Sequence, residues 1–513
     1  MPDELQLSRY GRPDEAQRCG GRIVHYVYLT AFCADSQVSR SPAALDQSSP
    51  AERPPGPDSL STAGRSPHSV AASRDSHRQV LGLAGPIILA NISVPLLGAV
   101  DTAVVGHLPE VYYIGGVAIG AMLFTYIYHL FNCLRMGTTG PTAQARGAGD
   151  YTEVRAMIGR ALLLAGVIGG VLIALQLPIL ALAFWLIDAS AEVERYAREY
   201  FLIRVWAMPA VLAGYAIIGW YYGLRDVRTP LAVQIFGNAL NIALDFLFVF
   251  GFGWGVAGVA YASVIASYAG LALGLYCVLR TVRVLPGSGH ARLLDRERLL
   301  RMVSINGDLV LRTFCVVSVL GMFMAKSAEL GDLTLAANQV LHNFLVFTSF
   351  GLDGFAHAAE AILGEAVGRR DRAAFQYSMR VVFFWAALVG LLNLLVYAAA
   401  GHGIIALLTN ITDVRTAAAD YLVWPIVLPI VSVWAYTYDG VYLAATRTTI
   451  MRNTVMASFA VFAVLLHVLT PVYGNTGVWI AVTAFLGLRG VLLHLYFPRV
   501  LSAIPVQQAP TPP

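Results

Sequence analysis

Ala90-Asn-Ile-Ser-Val-Pro-Leu-Leu-Gly-Ala-Val-Asp-Thr-Ala-Val-Val-Gly-His-Leu108 is an apolar stretch interrupted by one carboxylate, Asp101. With the residues before it, from Gln79 to Gly106, it is long enough to cross a bilayer as a helix, which takes about 20 residues at 1.5 Å rise each. Asp101 then lies inside the membrane. An aspartate near the bilayer centre costs about 2.5–3.5 kcal/mol on insertion scales, so it faces a watery cavity or a partner and marks an ion or substrate path. The plainer alternative is polar glue between helices.

The whole chain has the same character. It is 57% hydrophobic and 13% charged, with mean hydropathy +0.63, against about 25% charged residues in soluble domains. This is the composition of an all-α polytopic membrane protein. The net charge of +4 comes from arginines in short loops between apolar runs and forms no nucleic-acid-binding patch. Cys19, Cys33, Cys133, Cys277 and Cys315 are scattered and suggest neither a disulfide framework nor a metal site.

Residues 1–76 are rich in Ser, Pro, Arg and Asp, and their one apolar patch, Ile23 to Ala34, is too short to span. A disordered tail without a signal peptide is expected there. Twelve spanning runs come after it, near 79–106, 114–146, 155–187, 193–223, 229–251, 255–280, 300–326, 334–368, 375–409, 416–445, 450–472 and 477–498. Lys and Arg concentrate in the connections after even-numbered runs, which places those connections and both termini in the cytoplasm. An internal repeat at a spacing of 221 relates Ala145, Gly147 and Asp150 to Ala366, Gly368 and Asp371, and Gly219 and Tyr221 to Gly440 and Tyr442. A later match of Gly258 with Gly477 implies a two-residue slip. Six helices per half is an even number, so the halves insert the same way up: a lobe over 77–280, a linker over 281–299, a second lobe over 300–498 and a tail over 499–513.

A second polar cluster lies on the fifth run, where Asn241 and Asp245 are four apart and share a helix face. Counted from the outer helix ends, Asp101, Asp245 and Ser263 of the sixth run fall at similar depths. Burial and mutual repulsion disfavour two ionised acids there, and a shared proton relieves both. The same oxygens suit a hard cation. The alternative is an Asn–Asp network that holds helices 1, 5 and 6 together. The second lobe repeats none of this, since Asp101, Asn241 and Asp245 map to Met322, Phe462 and Leu466. It carries Asp308 and Arg312, four apart and expected to pair with each other, together with Asp353, Glu360 and Asp439, of which Asp353 and Asp439 have no local partner.

These residues carry a resemblance. The segment from Asn91 to His107, Leu134-Arg-Met-Gly-Thr-Thr-Gly-Pro-Thr-Ala-Gln-Ala145, Leu352-Asp-Gly-Phe-Ala356 and Ala444-Ala-Thr-Arg-Thr448 resemble the DinF branch of the multidrug and toxic compound extrusion (MATE) family over residues 77–498. The resemblance implies twelve transmembrane helices in two six-helix lobes around a cleft, and export of organic cations or other toxic compounds in exchange for H⁺ or Na⁺. It implies a first-lobe cation site at Asp101, Asn241, Asp245 and Ser263, and a bend of helix 1 at Pro86, with Pro95 a further kink. Asp439 is similar to the helix-10 acid of other branches, and Asp353 joins it as a second-lobe candidate.

The expected function is a secondary active multidrug efflux antiporter, a monomer in a bacterial-type inner membrane, with small-molecule substrates and no nucleic-acid partner. No enzyme activity, catalytic residue, cofactor or resident metal is expected; the coupling ion is H⁺, with Na⁺ at Asp101, Asn241 and Asp245 the alternative. A lipid-linked precursor flippase of the same broad superfamily is the competing reading, although membrane arginines for a pyrophosphate are few. A membrane scaffold leaves the depth-matched acids unexplained. The Gly137–Gly149 connection lacks the basic signature of a major facilitator transporter, and no phosphate-binding Gly-rich loop ending in Lys-Ser/Thr is present.

Overall fold

The computed structural model describes residues 76–91, 104, 111–187, 189–287 and 293–504. The expected N-terminal tail, apart from residue 76, and the later part of the first run, with Pro95 and Asp101, lie outside the described residues. Helix α1 is described over 76–91. After it come α2 (Tyr112–Gly147), α3 (Tyr151–Ala174), α4 (Ala191–Gly223), α5 (Arg228–Gly251), α6 (Gly255–Val284) and α7 (Arg296–Glu329). The second half is made of α8 (Asp332–Gly368), α9 (Arg372–Leu408), α10 (Val423–Ala444), α11 (Thr448–Tyr473) and α12 (Asn475–Ser502). Short helices Gln176–Leu186 and Thr412–Asp420 lie in the connections. No strand occurs among the described residues, and the protein is an all-α bundle of twelve transmembrane helices in two six-helix lobes.

Ten of these helices are long and apolar enough to cross a membrane. Their outer faces fit lipid: Leu388, Leu391, Leu392 and Leu395 on α9, and Val461, Val464, Val468 and Val472 on α11, are exposed rows at helical spacing. Helix α8 is the exception in composition because of its place. From Gly354 to Ala366 every residue is buried, so this segment touches protein on all sides. Its small residues, Ala356, Ala358, Ala359, Ala361, Gly364 and Ala366, let neighbouring helices come close.

The repeat is written in the backbone. Gly149 N–H donates to Arg146 O and Asp150 N–H to Ala145 O, and the same pair recurs 221 residues on, from Arg370 to Val367 and from Asp371 to Ala366. This is the left-handed helix stop, with φ +73° at Gly149 and +59° at Arg370. The next helix is capped alike in each lobe, Asp150 accepting from Glu153 N–H at 2.9 Å and Asp371 from Ala374 N–H at 2.8 Å. A second matched stop ends α4 and α10, at Arg225 and Thr446. The two-residue slip also has a location. Gly255 and Gly474, both at φ +55°, open α6 and α12 at a spacing of 219, and α5 alone of the corresponding helices ends in a π-helical turn, Leu247–Gly251. A π turn takes up inserted residues without breaking the helix.

The lobes meet about an approximate twofold axis between α2 and α8. A Cβ on Gly147 would lie 2.2 Å from the Glu365 carbonyl oxygen, and one on Gly368 would lie 2.0 Å from that of Gln144, positions themselves 221 apart. Glu365 is nearly buried beside this contact and binds Arg146 at 3.6 Å, Arg225 at 2.8 Å and also Arg369, while Gln144 Nε2 donates to Ala444 O at 2.6 Å. These contacts close the lobes on each other at the arginine-rich end, beside a cavity of about 500 Å³ lined by α2, α3 and the first turns of α7. Helix α1 crosses to the other lobe, with Ile88 and Ala84 against Gly354 of α8 and His77 Nδ1 accepting from Trp385 Nε1 of α9 at 3.0 Å.

Gly368→Leu is expected to force this end apart, because the added side chain meets backbone. In a cysteine-free background, Ala143→Cys, buried against Gly364 across the lobe contact, becomes reactive to maleimide in the Gly368→Leu protein. Continued protection of that cysteine would show that the glycine contact does not hold the end closed.

Candidate functional site

Helix α5 is inverted relative to a soluble helix. Over Arg228–Phe246 its buried residues are Pro230, Asn241 and Asp245, while Ile235, Phe236 and Phe246 are exposed. A helix with lipid on one side keeps its polar residues on the other. Two close approaches set the register with α6: Gly237 faces Ala266 and Gly258 faces Phe248. In an antiparallel pair this brackets Asn241 and Ser263 at one level, with Asp245 one turn further along α5, beside the π turn. All three side chains are buried, and Asn241 Nδ2 and Ser263 Oγ have no hydrogen-bond partner among the described residues. A buried pair of that kind is a place where a polar ligand or proton carrier gains most.

Gln234, further back on α5, donates to Ala90 O of α1 at 3.3 Å, so α1 runs beside this helix. Pro86 sits within the described α1, with helical residues on both sides. In the second lobe the equivalent places hold Phe462 and Leu466 of α11 and Val482 of α12, all buried, with Phe462 and Phe485 rings edge to face at 6.1 Å. Apolar packing replaces the polar cluster there.

The second lobe instead encloses a cavity of about 530 Å³ between α7, α8, α10 and α12, with α2 along its edge. Its polar lining includes Asn132, Arg312, Asp353, His357, Asp439 and Arg489, and the rest is largely aliphatic and aromatic. Arg312 and Arg489 both donate to Oδ2 of Asp439. The expected pair of Asp308 with Arg312 is therefore not formed. Asp308 takes Arg452 Nη1 at 2.6 Å, Thr448 Oγ1 at 2.9 Å and Thr449 Oγ1 at 2.8 Å. It lies against the first turn of α11, where hydroxyls and the positive end of the helix dipole suit an anion. Arg312, one turn deeper, faces the cavity and meets the helix-10 acid. Asp439 is thus a neutralised acid, and Asp353 is the half-buried carboxylate of the cavity wall.

Arg135, His357 and Arg489 carry no expectation from the sequence, although the signal was there: an arginine inside a spanning run is as expensive as an acid. Arg135 Nη1 lies 3.2 Å from His357 Nδ1 and 3.9 Å from Glu360 Oε2, so it bridges α2 to α8 at the cavity floor.

Asp439→Asn leaves two buried guanidiniums without the carboxylate they both bind. It is expected to lower stability by about 3–5 kcal/mol, read as a fall in the unfolding temperature in detergent. Adding Arg312→Gln should recover part of the loss. An unchanged melting temperature in the single variant would mean the triad contributes nothing to folding.

The MatE family model matches residues 86–247 and 310–469, one segment on each lobe. A second model, Lipid II flippase MurJ, matches residues 202–328. DNA damage-inducible protein F of Escherichia coli is 41% identical over 425 residues, covering 83% of this chain and 92% of the relative. A probable multidrug resistance protein NorM of Caulobacter vibrioides is 25% identical over 439 residues, covering 83% and 89%. In fold, the chain is similar to the Vibrio cholerae MATE transporter VcmN in its bent form, at TM-score 0.74 and 19% identity, with 84% of this chain and 98% of that one covered. It is also similar to a MOP superfamily transporter from Pyrococcus furiosus, described by a reverse polarity of its binding pocket, at TM-score 0.73 and 16% identity, with 84% and 96% covered. With matched segments on both lobes and a relative of this similarity along most of its length, the chain belongs to the MatE family.

Proposed function

We propose that the protein is a secondary active multidrug efflux antiporter of the inner membrane, exporting small toxic compounds, organic cations among them, in exchange for H⁺. The observation that carries the reading is the inequality of the lobes: Asn241, Asp245 and Ser263 are buried where the second lobe has Phe462, Leu466 and Val482. Structural glue would be needed in both lobes, whereas a coupling site is needed in one.

Residues 77–280 and 300–498 are read as the two lobes, 281–299 as their linker, and the arginine-rich end as cytoplasmic. Asp101 completes the first-lobe site. The Gln234–Ala90 contact supports this, since it holds α1 beside the helix that carries Asn241 and Asp245. Pro86, which removes one backbone donor from α1, is the point where that helix flexes as the site changes occupancy. A proton needs one carboxylate and an acceptor, whereas Na⁺ needs several oxygens at short range, and the neutral side-chain ligands here are Asn241 and Ser263. In the second lobe Asp353 is the acid that meets a cationic substrate, because Asp439 is occupied by Arg312 and Arg489.

The flippase reading draws on the MurJ match over residues 202–328. A pyrophosphate would need guanidiniums free to receive it, and the two in the cavity are committed to Asp439.

In proteoliposomes, dye-like cations should move against an imposed pH gradient in Na⁺-free buffer. Asp245→Asn should lower that transport about tenfold or more at an unchanged melting temperature. Transport that tracks a Na⁺ gradient at clamped pH, and ignores a pH gradient, would replace H⁺ by Na⁺.

A further inference from the structure

Below the second-lobe cavity and above the closed end, the lobes meet at a charged contact longer than any other ion pair among the described residues. Glu360 of α8 is fully buried, and neither of its carboxylate oxygens accepts a well-formed hydrogen bond among the described residues. Its cation is Arg135 of α2, at 3.9 Å, well outside the 2.7–2.9 Å of a charge-assisted hydrogen bond. Arg135 is divided: Nε donates to Asn132 Oδ1 at 3.1 Å, Nη1 lies 3.2 Å from His357 Nδ1, and Nη2 has no acceptor among the described residues. By contrast Glu365, further along α8, is held by three guanidiniums.

The surroundings define what Glu360 can answer to. From α2 it faces Arg135 and the backbone of Gly140, and from α4 it faces Tyr222, whose ring is 6.3 Å from that of His357, one turn back on α8. Arg312 of α7 bears on His357 across the cavity. No titratable group from α9 or α10 acts on Glu360 among the described residues. Above it, His357 and Asp353 open to the cavity. On its other side the helices close: a Cβ on Gly140 would lie 2.4 Å from Leu443 O, and one on Gly364 would lie 2.8 Å from Ala143 Cβ. Glu360 therefore lies between the cavity and the seal, on a contact that links the lobes.

We propose that Glu360 is a proton-carrying residue of the transport cycle: ionised, it ties the lobes through Arg135 and keeps the arginine-rich end shut; protonated, it releases them. The inference rests on the antiport reading and adds a second titrating position to the first-lobe site. In the loading step an O–H bond forms on Glu360, while the donor, a hydronium ion or the Asp353 carboxyl group in the cavity, is left as water or carboxylate. Arg135 remains a guanidinium and keeps Asn132 and His357. Once the seal parts, Glu360 gives its proton to water on the arginine-rich side. Re-forming the tie then requires an ionised Glu360, so a cycle that opens the seal carries a proton inward.

The test uses the full-length protein with Ala143→Cys, buried on the α2–α8 seal, as the reporter in a cysteine-free background, its labelling normalised to an exposed cysteine. In the parent, labelling should rise as pH falls. In Glu360→Gln it should be high and independent of pH, while downhill dye flux persists and pH-driven accumulation is lost. Glu360→Asp, which keeps the titrating group, should retain pH-dependent labelling. Glu360→Gln labelling that still tracks pH as in the parent overturns the proposal. Should Glu360→Gln fail to fold, Arg135→Gln removes the tie from the other side: open at every pH supports the proposal, and protected at every pH overturns it. The antiport reading fails separately. If the parent shows no pH-driven transport, yet labelling tracks pH through Glu360, the tie stands and the antiport does not; if Glu360→Gln transports and labels like the parent, the antiport stands and the tie does not.

Discussion

The contact between α2 and α8 is the constraint on which the rest of the molecule depends. Four glycines, 147 and 368 across the axis and 219 and 440 within each lobe, stand where a Cβ would lie 2.0–2.3 Å from a backbone carbonyl oxygen. Helices brought that close exclude water and leave no room for side chains to mediate the fit, so each lobe is rigid about its own long helix. Inserted charges have to be accommodated at the edges of these contacts. That is where Glu365, Arg135 and Glu360 are found, at successive levels of the lobe interface.

Given a shared backbone plan, the lobes have diverged in chemistry. Left-handed stops, N-caps and glycine contacts recur at a spacing of 221, yet the first lobe buries Asn241, Asp245 and Ser263 where the second buries Phe462, Leu466 and Val482. The π turn Leu247–Gly251 accompanies this difference. It begins two residues beyond Asp245, forms the last turn of α5, and precedes the two-residue shift in the register of α6. The second lobe places its charge elsewhere, on α7, α10 and α12, around a cavity with aliphatic walls. Two arginines occupy Asp439 there, so lobes of similar backbone carry different arrangements of buried charge.

The sequence alone determined the helices and their order. Apolar runs near the bilayer span, broken by arginine-rich connections, can satisfy their backbone in lipid only as helices, and α2 to α12 stand where the runs predict them, except that the run 155–187 divides at Leu175 into α3 and the short helix Gln176–Leu186, and the run 416–445 starts as α10 only at Val423. The repeat was legible because glycine at a close helix contact cannot be exchanged for another residue, and Asn241 and Asp245 were legible because an i, i+4 polar pair in an apolar helix can point only inward. Partner choice was not legible. Asp308 and Arg312 share a helix face, but each found a nearer group on another helix, on α11 and α10 respectively. The bridge from Arg135 to Glu360 joins residues more than 200 positions apart. Which buried charges meet depends on how helices cross, to within an ångström or two, and that distance is settled by tertiary packing and not by any spacing along the chain.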